Sequence, residues 1–158
     1  RTIEDKLIEL EKIFSMAKKD NVKTRCYIST SFGCPYEGII PEKRVIDIAK
    51  FISAFEIEHI ALRDTIGAAV PSQVESLILK IKEADIGLDR IALHMHDTGR
   101  RALANIKIAY GLGVRTFDAS WGGLGGCPYA EGAPGNVATE DVVKMFNSMG
   151  VNTGITLN

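Results

Sequence analysis

The sequence predicts an α/β fold of the (β/α)8 TIM-barrel type, here only about four βα units, that is, a half barrel of parallel strands. Apolar strand-like and amphipathic helical segments alternate about every 30 residues, the spacing of a barrel of about 250 residues, and 158 residues hold half of its units. Along the last predicted strand Thr116, Asp118 and Ser120 share one face, and Phe117 and Ala119 share the other. A sheet covered by helices on both faces would be apolar on both, so the polar face favours a barrel interior.

Five segments carry the apolar period of an amphipathic helix: residues 2–19, 41–55, 72–85, 100–113 and 139–150. Pro41 opens the second helix at its first turn, and the spacing of Ser72 and Glu75 predicts a capping box for the third. The fourth helix ends in glycines. Thr139 is the expected cap of the fifth, which has acidic residues in its first turn.

Four short segments between these helices predict strands: residues 25–31, 59–65, 90–97 and 116–122. Because a helix separates each strand from the next, we expect parallel strands with helical crossovers. The first and last strands lack an outer neighbour, and such bare edges invite pairing with another chain. No segment has the composition of a linker, so residues 1–158 are expected to form a single partial domain.

Composition excludes several classes of partner. A formal net charge of -1 and a pI of about 6.4 give no electrostatic reason to expect nucleic acid or an anionic membrane. Neither a membrane span nor a signal peptide is recognisable. Three widely spaced cysteines, Cys26, Cys34 and Cys127, predict free thiols in a reducing compartment. The chain begins with Arg1 rather than methionine, directly at the predicted first helix, which favours a cut end over a natural start.

Two of the three histidines lie in the stretch ALHMHDTG, residues 92–99. On a strand His94 and His96 point the same way, while Leu93 and Met95 face the helices. Both histidines lie at the carboxyl end of their strand, where the active sites of barrels gather. They form either a pair of metal ligands or a hydrogen-bonded pair that closes the core.

A glycine-rich loop, GGLGGCPYAEGAPGN at residues 122–136, follows the last strand. So many glycines indicate backbone conformations that other residues avoid, in a loop at the barrel mouth. Cys127 in its middle suits an acid/base or redox-sensitive role, and the side-chain oxygen of Asn136 suits Mg²⁺ or Mn²⁺. A related phrase, GCPYEG around Cys34, is interpreted as structural.

Three stretches carry a family resemblance: HMHDTGRRALANI, FDASWGGLGGCPYAEGAPGNVATEDVV and GCPYEG. They resemble hydroxymethylglutaryl-CoA lyase, one of the metal-dependent aldolase-type barrels related to isopropylmalate synthase. The resemblance runs from about Thr24 to Gly154 and corresponds to the second, C-terminal half of that barrel. The stretch GLGGCPYAEGAPGN separates lyase from synthase, because the synthases carry a different loop without the cysteine.

The resemblance implies the site residues. His94, His96 and Asn136 match metal ligands for Mg²⁺ or Mn²⁺, and Cys127 matches the catalytic cysteine of a mobile loop. Asp64 matches an active-site aspartate, and either His94 or Asp64 would act as general base. The alternative for Asp64 is a carboxylate that caps the turn after its strand.

The chain also departs from the family pattern. Arg63 and Arg100 stand where glycine is common in relatives, so both can alter packing or substrate fit. The family's first strand supplies a further aspartate ligand and a catalytic arginine, and neither is in this chain. We therefore expect the isolated chain to be inactive and to need a missing N-terminal half-barrel or a second copy of itself.

The implied reaction is the retro-Claisen cleavage of hydroxymethylglutaryl-CoA to acetyl-CoA and acetoacetate, as used in leucine degradation and ketone-body formation. The resemblance implies an acyl-CoA substrate and a location in the bacterial cytoplasm or the mitochondrial matrix. Three alternatives stay open: a Claisen-condensing synthase, a non-catalytic half-barrel binding module, and a zinc hydrolase. The last would need His59, which lies at the amino end of its strand, away from the mouth.

Overall fold

The computed structural model describes residues 2–126 and 135–157. Its helices are α1 (Ile3–Lys19), α2 (Glu42–Ser53), α3 (Pro71–Glu83), α4 (Ala102–Leu112) and α5 (Thr139–Ser148). All five predicted helices are thus confirmed, with ends shifted by a few residues. α4 ends at Gly113, whose φ of 118° is a left-handed conformation that only glycine adopts without strain. No helix in the described part of the chain is both long enough and apolar enough to cross a membrane.

Two predicted helix caps are wrong. α3 begins at Pro71, and Gln73 rather than Glu75 caps it, because the backbone N–H of Val70 donates to the Gln73 side chain at 3.1 Å. The first-turn proline moves the start of the helix ahead of the predicted box. α5 begins at Thr139 itself, and its N-cap is the preceding Ala138.

Six strands are described: β1 (Arg25–Ile28), β2 (Gly33–Cys34), β3 (Gly38–Ile39), β4 (His59–Asp64), β5 (Ile91–Met95) and β6 (Thr116–Asp118). β2 and β3 form a small antiparallel hairpin between β1 and α2. The other four strands form one parallel sheet in the order β1-β4-β5-β6. This arrangement confirms the four predicted βα units, with β1 and β6 as the edges of the sheet in the described residues.

In the described residues the main apolar core lies on one face of the sheet. The side chains of β4 and β5 on this face are fully buried: Ile60, Leu62, Ile91, Leu93 and Met95. They pack against the buried stripes of α2, α3 and α4, such as Ile52, Leu77 and Ile106. Each buried Leu or Ile contributes about 1.5–3 kcal/mol, so this helix-covered face holds the unit together. The opposite face carries polar side chains, as a barrel interior would.

Candidate active site

The polar face of the sheet, called the inner face here, is built by strand alternation. His59, Ala61 and Arg63 point inward from β4, and Ala92 and His94 from β5. The two alanines are small, and this leaves room for longer side chains to meet across the sheet. At the amino end, Thr116 Oγ1 of β6 lies 3.2 Å from His59 Nε2 of β4, with β5 between them. His59 therefore lies in contact with Thr116 at the end of the sheet opposite the mouth, away from His94 and His96.

His94 and His96 lie side by side at the carboxyl end of β5, with ring centroids 5.4 Å apart. Leu93 and Met95 between them are fully buried on the helix side, which confirms that the two histidines share the inner face. His96 is only 3% exposed, and its backbone pairs with Asn136 in an isolated bridge. The structure thus brings the three predicted ligands into one region.

The Nδ1 atom of His94 is already engaged. His94 Nδ1 lies 3.1 Å from Asp118 Oδ2, and because a carboxylate can only accept, Nδ1 carries the proton. Burial lowers the pKa of His96 to about 4, helped by the charges of His94 and Arg63 and opposed by a hydrogen bond to the Thr65 backbone. Within residues 2–126 and 135–157 both Nε2 atoms are buried and have no hydrogen-bond partner. The His96 ring is therefore uncharged at neutral pH, and its Nε2 atom can offer a lone pair.

Asp118 connects the two edges of the sheet. Arg25 Nη2 of β1 donates to Asp118 Oδ1 at 2.7 Å, and the Tyr27 hydroxyl donates to Oδ2 at 3.2 Å. Burial alone would raise the pKa of the Asp118 carboxyl, but hydrogen bonds with His94 and Arg25 hold it below its ordinary value. An ionised Asp118 thus orients His94. Sequence reasoning missed this network, although the inward position of Asp118 had been recognised.

The base of the glycine-rich loop is held by backbone hydrogen bonds. Asp97 N donates to Gly135 O at 3.0 Å, and Asn136 N donates to Gly125 O at 3.0 Å. A Cβ atom at Gly135 would overlap the Gly125 carbonyl, so this close crossing requires glycine. Asn136 Nδ2 donates to Leu124 O at 2.9 Å, which fixes the orientation of the amide. Its Oδ1 is buried and, among the described residues, has no hydrogen-bond partner.

Asp64 lies on the other face of β4, beside Leu62 rather than beside Arg63. It is 0% exposed, and its two oxygens accept hydrogen bonds from the backbone N–H groups of Ala68 at 3.0 Å and Ala69 at 3.1 Å. Burial raises its pKa to about 6 against these hydrogen bonds. The geometry is that of the turn cap offered as the alternative, and the catalytic role of Asp64 stays a prediction.

The predicted catalytic Cys127 falls in residues 127–134, outside the described residues. Within the described residues Cys26 and Cys34 are free thiols. Cys26 is buried, and burial raises its pKa. Cys34 lies in the small β2–β3 hairpin, and its structural role stays a prediction.

Fold and inner face together define the class of this molecule: it is half of a (β/α)8 barrel. The chain belongs to the HMGL-like family, whose family model matches residues 1–158. The family resemblance drawn from the sequence motifs is therefore confirmed.

Known proteins agree with this assignment. The chain is 47% identical to hydroxymethylglutaryl-CoA lyase of Bacillus subtilis over 148 residues, 94% of this chain and 49% of that protein. The crystal structure of the B. subtilis HMG-CoA lyase matches with a TM-score of 0.93 and 45% identity, over 98% of this chain and 52% of that one. The HMG-CoA lyase of Acinetobacter baumannii, solved in complex with coenzyme A and 3-methylmalate, matches with a TM-score of 0.90 and 36% identity, over 99% of this chain and 51% of that one.

The chain spans about half the length of the relatives that it matches. This share agrees with four of eight βα units. The relatives include bacterial, cytoplasmic and mitochondrial lyases, and the comparisons do not favour the synthase alternative.

Proposed function

We propose that this chain forms the second half of the barrel of a metal-dependent lyase that cleaves hydroxymethylglutaryl-CoA to acetyl-CoA and acetoacetate. The observation that carries the proposal is a set of three buried atoms that could ligate a metal and that have no hydrogen-bond partner in the described residues: His94 Nε2, His96 Nε2 and Asn136 Oδ1. Buried polar atoms are nearly always hydrogen-bonded, so three orphans in one region indicate a missing binding partner. Imidazole nitrogen and amide oxygen are both ligand types for a divalent cation.

The surroundings of these atoms also suit a metal site. A metal-ligating histidine usually donates its other ring N–H to a carboxylate or a carbonyl, as His94 does to Asp118 and His96 to the Thr65 backbone. The three proposed ligands are neutral. In the described part of the chain no three His, Cys, Asp or Glu side chains are arranged to hold a metal. An anionic ligand must therefore come from outside these residues, and we propose that the upstream half-barrel supplies it.

The reaction requires that a C3 hydroxyl lose its proton while the departing carbon becomes an enolate. When bound, Mg²⁺ or Mn²⁺ would stabilise the negative charge that develops on the substrate oxygen. His94 would hold the cation through Nε2 and keeps its Nδ1 proton on Asp118, so it has no further lone pair to act as the general base while it is a ligand. Asp64 points to the helices with both oxygens on backbone N–H groups, so the base role stays a prediction for both residues. Cys127 is proposed to return a proton to the acetyl-CoA enolate.

The proposed setting follows from the same family. The coenzyme A in the A. baumannii lyase supports an acyl-CoA substrate here. A reducing compartment, either bacterial cytoplasm or mitochondrial matrix, would keep Cys127 reduced. Neither nucleic acid nor membrane is part of the proposal.

Complementation would test the function. The chain would be joined to, or mixed with, the first half of the B. subtilis lyase, and acetyl-CoA and acetoacetate would be measured with Mg²⁺ or Mn²⁺. We expect turnover that His96→Ala abolishes and His59→Ala, at the opposite end of the sheet, retains. Condensation of acetyl-CoA with a keto acid, or turnover that is indifferent to His96, would overturn the proposal.

A further inference from the structure

Arg63 is a cation on the inner face for which the described residues provide no acceptor. It lies on β4 in register with His94 on β5, so the two side chains are neighbours on one face. The residue is half-buried, its Nε atom is buried, and within the described part of the chain that atom has no hydrogen-bond partner. Burying a guanidinium N–H group without a hydrogen-bond acceptor costs free energy, so we expect an anion to bind at this position.

The carboxylates near Arg63 have other partners. Both oxygens of Asp118 are bound, one by Arg25 and the other by Tyr27 and His94. Asp64 faces the helices with both oxygens on backbone N–H groups. Neither carboxylate is therefore free to pair with Arg63, and an acceptor for its guanidinium would have to come from outside the described residues.

The charge of Arg63 reaches the site. After burial and the charge of His94, it is the next cause that lowers the pKa of His96. It also opposes the rise that burial causes in the pKa of Tyr27. A divalent cation at the histidines would add positive charge beside Arg63 and strengthen the demand for an anion.

We propose that Arg63 determines specificity by binding the free carboxylate of the substrate's acyl group, an inference that rests on the proposed function. The planar guanidinium presents paired N–H donors that match a carboxylate. Because Arg63 neighbours His94, the group that it binds must lie close to the reacting carbons. The phosphates of coenzyme A lie at the far end of a long arm from the thioester, so they do not meet this requirement.

The test uses the chain completed with the first half-barrel. Turnover of hydroxymethylglutaryl-CoA would be compared with that of an analogue whose free carboxylate is replaced by a carboxamide. We expect Arg63→Met to lower kcat/KM for the carboxylate substrate about 10- to 100-fold, as for lost charge-assisted hydrogen bonds, and to affect the amide little. The kcat/KM of Arg63→Lys for the carboxylate substrate should lie between those of the wild type and Arg63→Met, since lysine keeps the charge but lacks the paired N–H donors of the guanidinium. Lys107→Met, which removes a positive charge from the exposed face of α4, is the control and should change neither substrate.

Equal losses on both substrates, or no loss on either, would overturn the assignment of Arg63. Calorimetric titration with free 3-hydroxy-3-methylglutarate separates this inference from the proposed function. Binding that depends on Arg63 in a protein without lyase turnover would support Arg63 and reject the lyase. Turnover that Arg63→Met leaves intact would reject Arg63 alone. If Arg63→Met does not fold, Arg63→Lys decides: a partial loss of kcat/KM confined to the carboxylate substrate, with an unchanged Tm, supports the assignment, and an unchanged selectivity for the carboxylate over the amide overturns it.

Discussion

Arg25 and Asp118 belong to opposite edge strands of the sheet, yet Arg25 Nη2 lies 2.7 Å from Asp118 Oδ1. Their side chains cross the inner face above β4 and β5. The same carboxylate holds His94 Nδ1 at 3.1 Å, so a contact between the two edges also sets the orientation of a proposed ligand. Curvature of the sheet and geometry of the site are therefore coupled through one residue.

Asp118→Asn should weaken metal binding by the histidine pair. The amide keeps the volume but accepts from His94 less strongly and pairs less well with Arg25, so the ring loses its fixed orientation. Loss of such a partner typically costs about 10- to 100-fold in affinity. Titration with Zn²⁺ would measure it, with Asp141→Asn on the exposed face of α5 as the control. Equal Zn²⁺ affinities of the wild type, Asp118→Asn and Asp141→Asn would show that Asp118 does not orient His94.

The isolated chain should bind Zn²⁺ or Ni²⁺ through His94 and His96 but bind Mg²⁺ or Mn²⁺ weakly. Imidazole favours the softer ions, whereas Mg²⁺ prefers oxygen ligands with carboxylates among them. Calorimetry on the wild type, His94→Ala and His96→Ala would test this, and His59→Ala should bind like the wild type. Tight Mg²⁺ binding with full turnover would mean that a carboxylate of this chain, such as Asp64 or Asp97, already completes the site.

Asp64 should make stability depend on pH in a defined window. Its pKa is about 6 in the folded chain against 3.8 for the ordinary group, so the folded state favours the protonated form. The contribution of Asp64 to the free energy of unfolding is at most about 3 kcal/mol. It is fully present below about pH 4 and is lost as the pH rises through about 6.

Asp64→Asn is neutral at every pH and should remove this dependence. Chemical unfolding of both proteins between pH 4 and 8 would measure the difference in unfolding free energy. A difference that does not change with pH would contradict the raised pKa. A large loss of turnover in Asp64→Asn with unchanged stability would instead support its catalytic role.

Cys127→Ala in the completed barrel should lower turnover far more than metal affinity, because a proton-transfer group need not bind the metal. Oxidising conditions should also inhibit the completed protein reversibly through an accessible thiol. Steady-state kinetics before and after reduction would test both points. Inhibition that persists in Cys127→Ala would point to Cys34, for which Cys34→Ala is the matched variant.

The isolated chain should self-associate, because β1 and β6 are edge strands in the described structure and the inner face is uncovered. Tyr27, at 47% exposed, adds apolar surface on β1. Sedimentation over a range of concentrations should show dimers, and addition of the first half-barrel should compete with them. A monodisperse monomer with a cooperative melt would show that the four-stranded unit is sufficient by itself.

Local periodicity was enough to predict most of the fold. The strand alternation placed His94 and His96 together, and the helical period located all five helices. The same alternation held a signal that was not used: Asp64 has the parity of Ile60 and Leu62, so it had to face the helices with them. Its match to a family motif had suggested the active site instead.

Which side of a strand a residue occupies is thus determined by the sequence, because the alternation is a property of the local backbone. Which residues meet across the sheet was decided only by the tertiary structure. Arg25 and Asp118 are 93 positions apart, and their contact depends on the order β1-β4-β5-β6 and on how strongly the sheet curves. Local sterics give every strand a twist, but which residues of the two edges it brings together depends on the positions of all four strands, so this contact involves the whole chain at once.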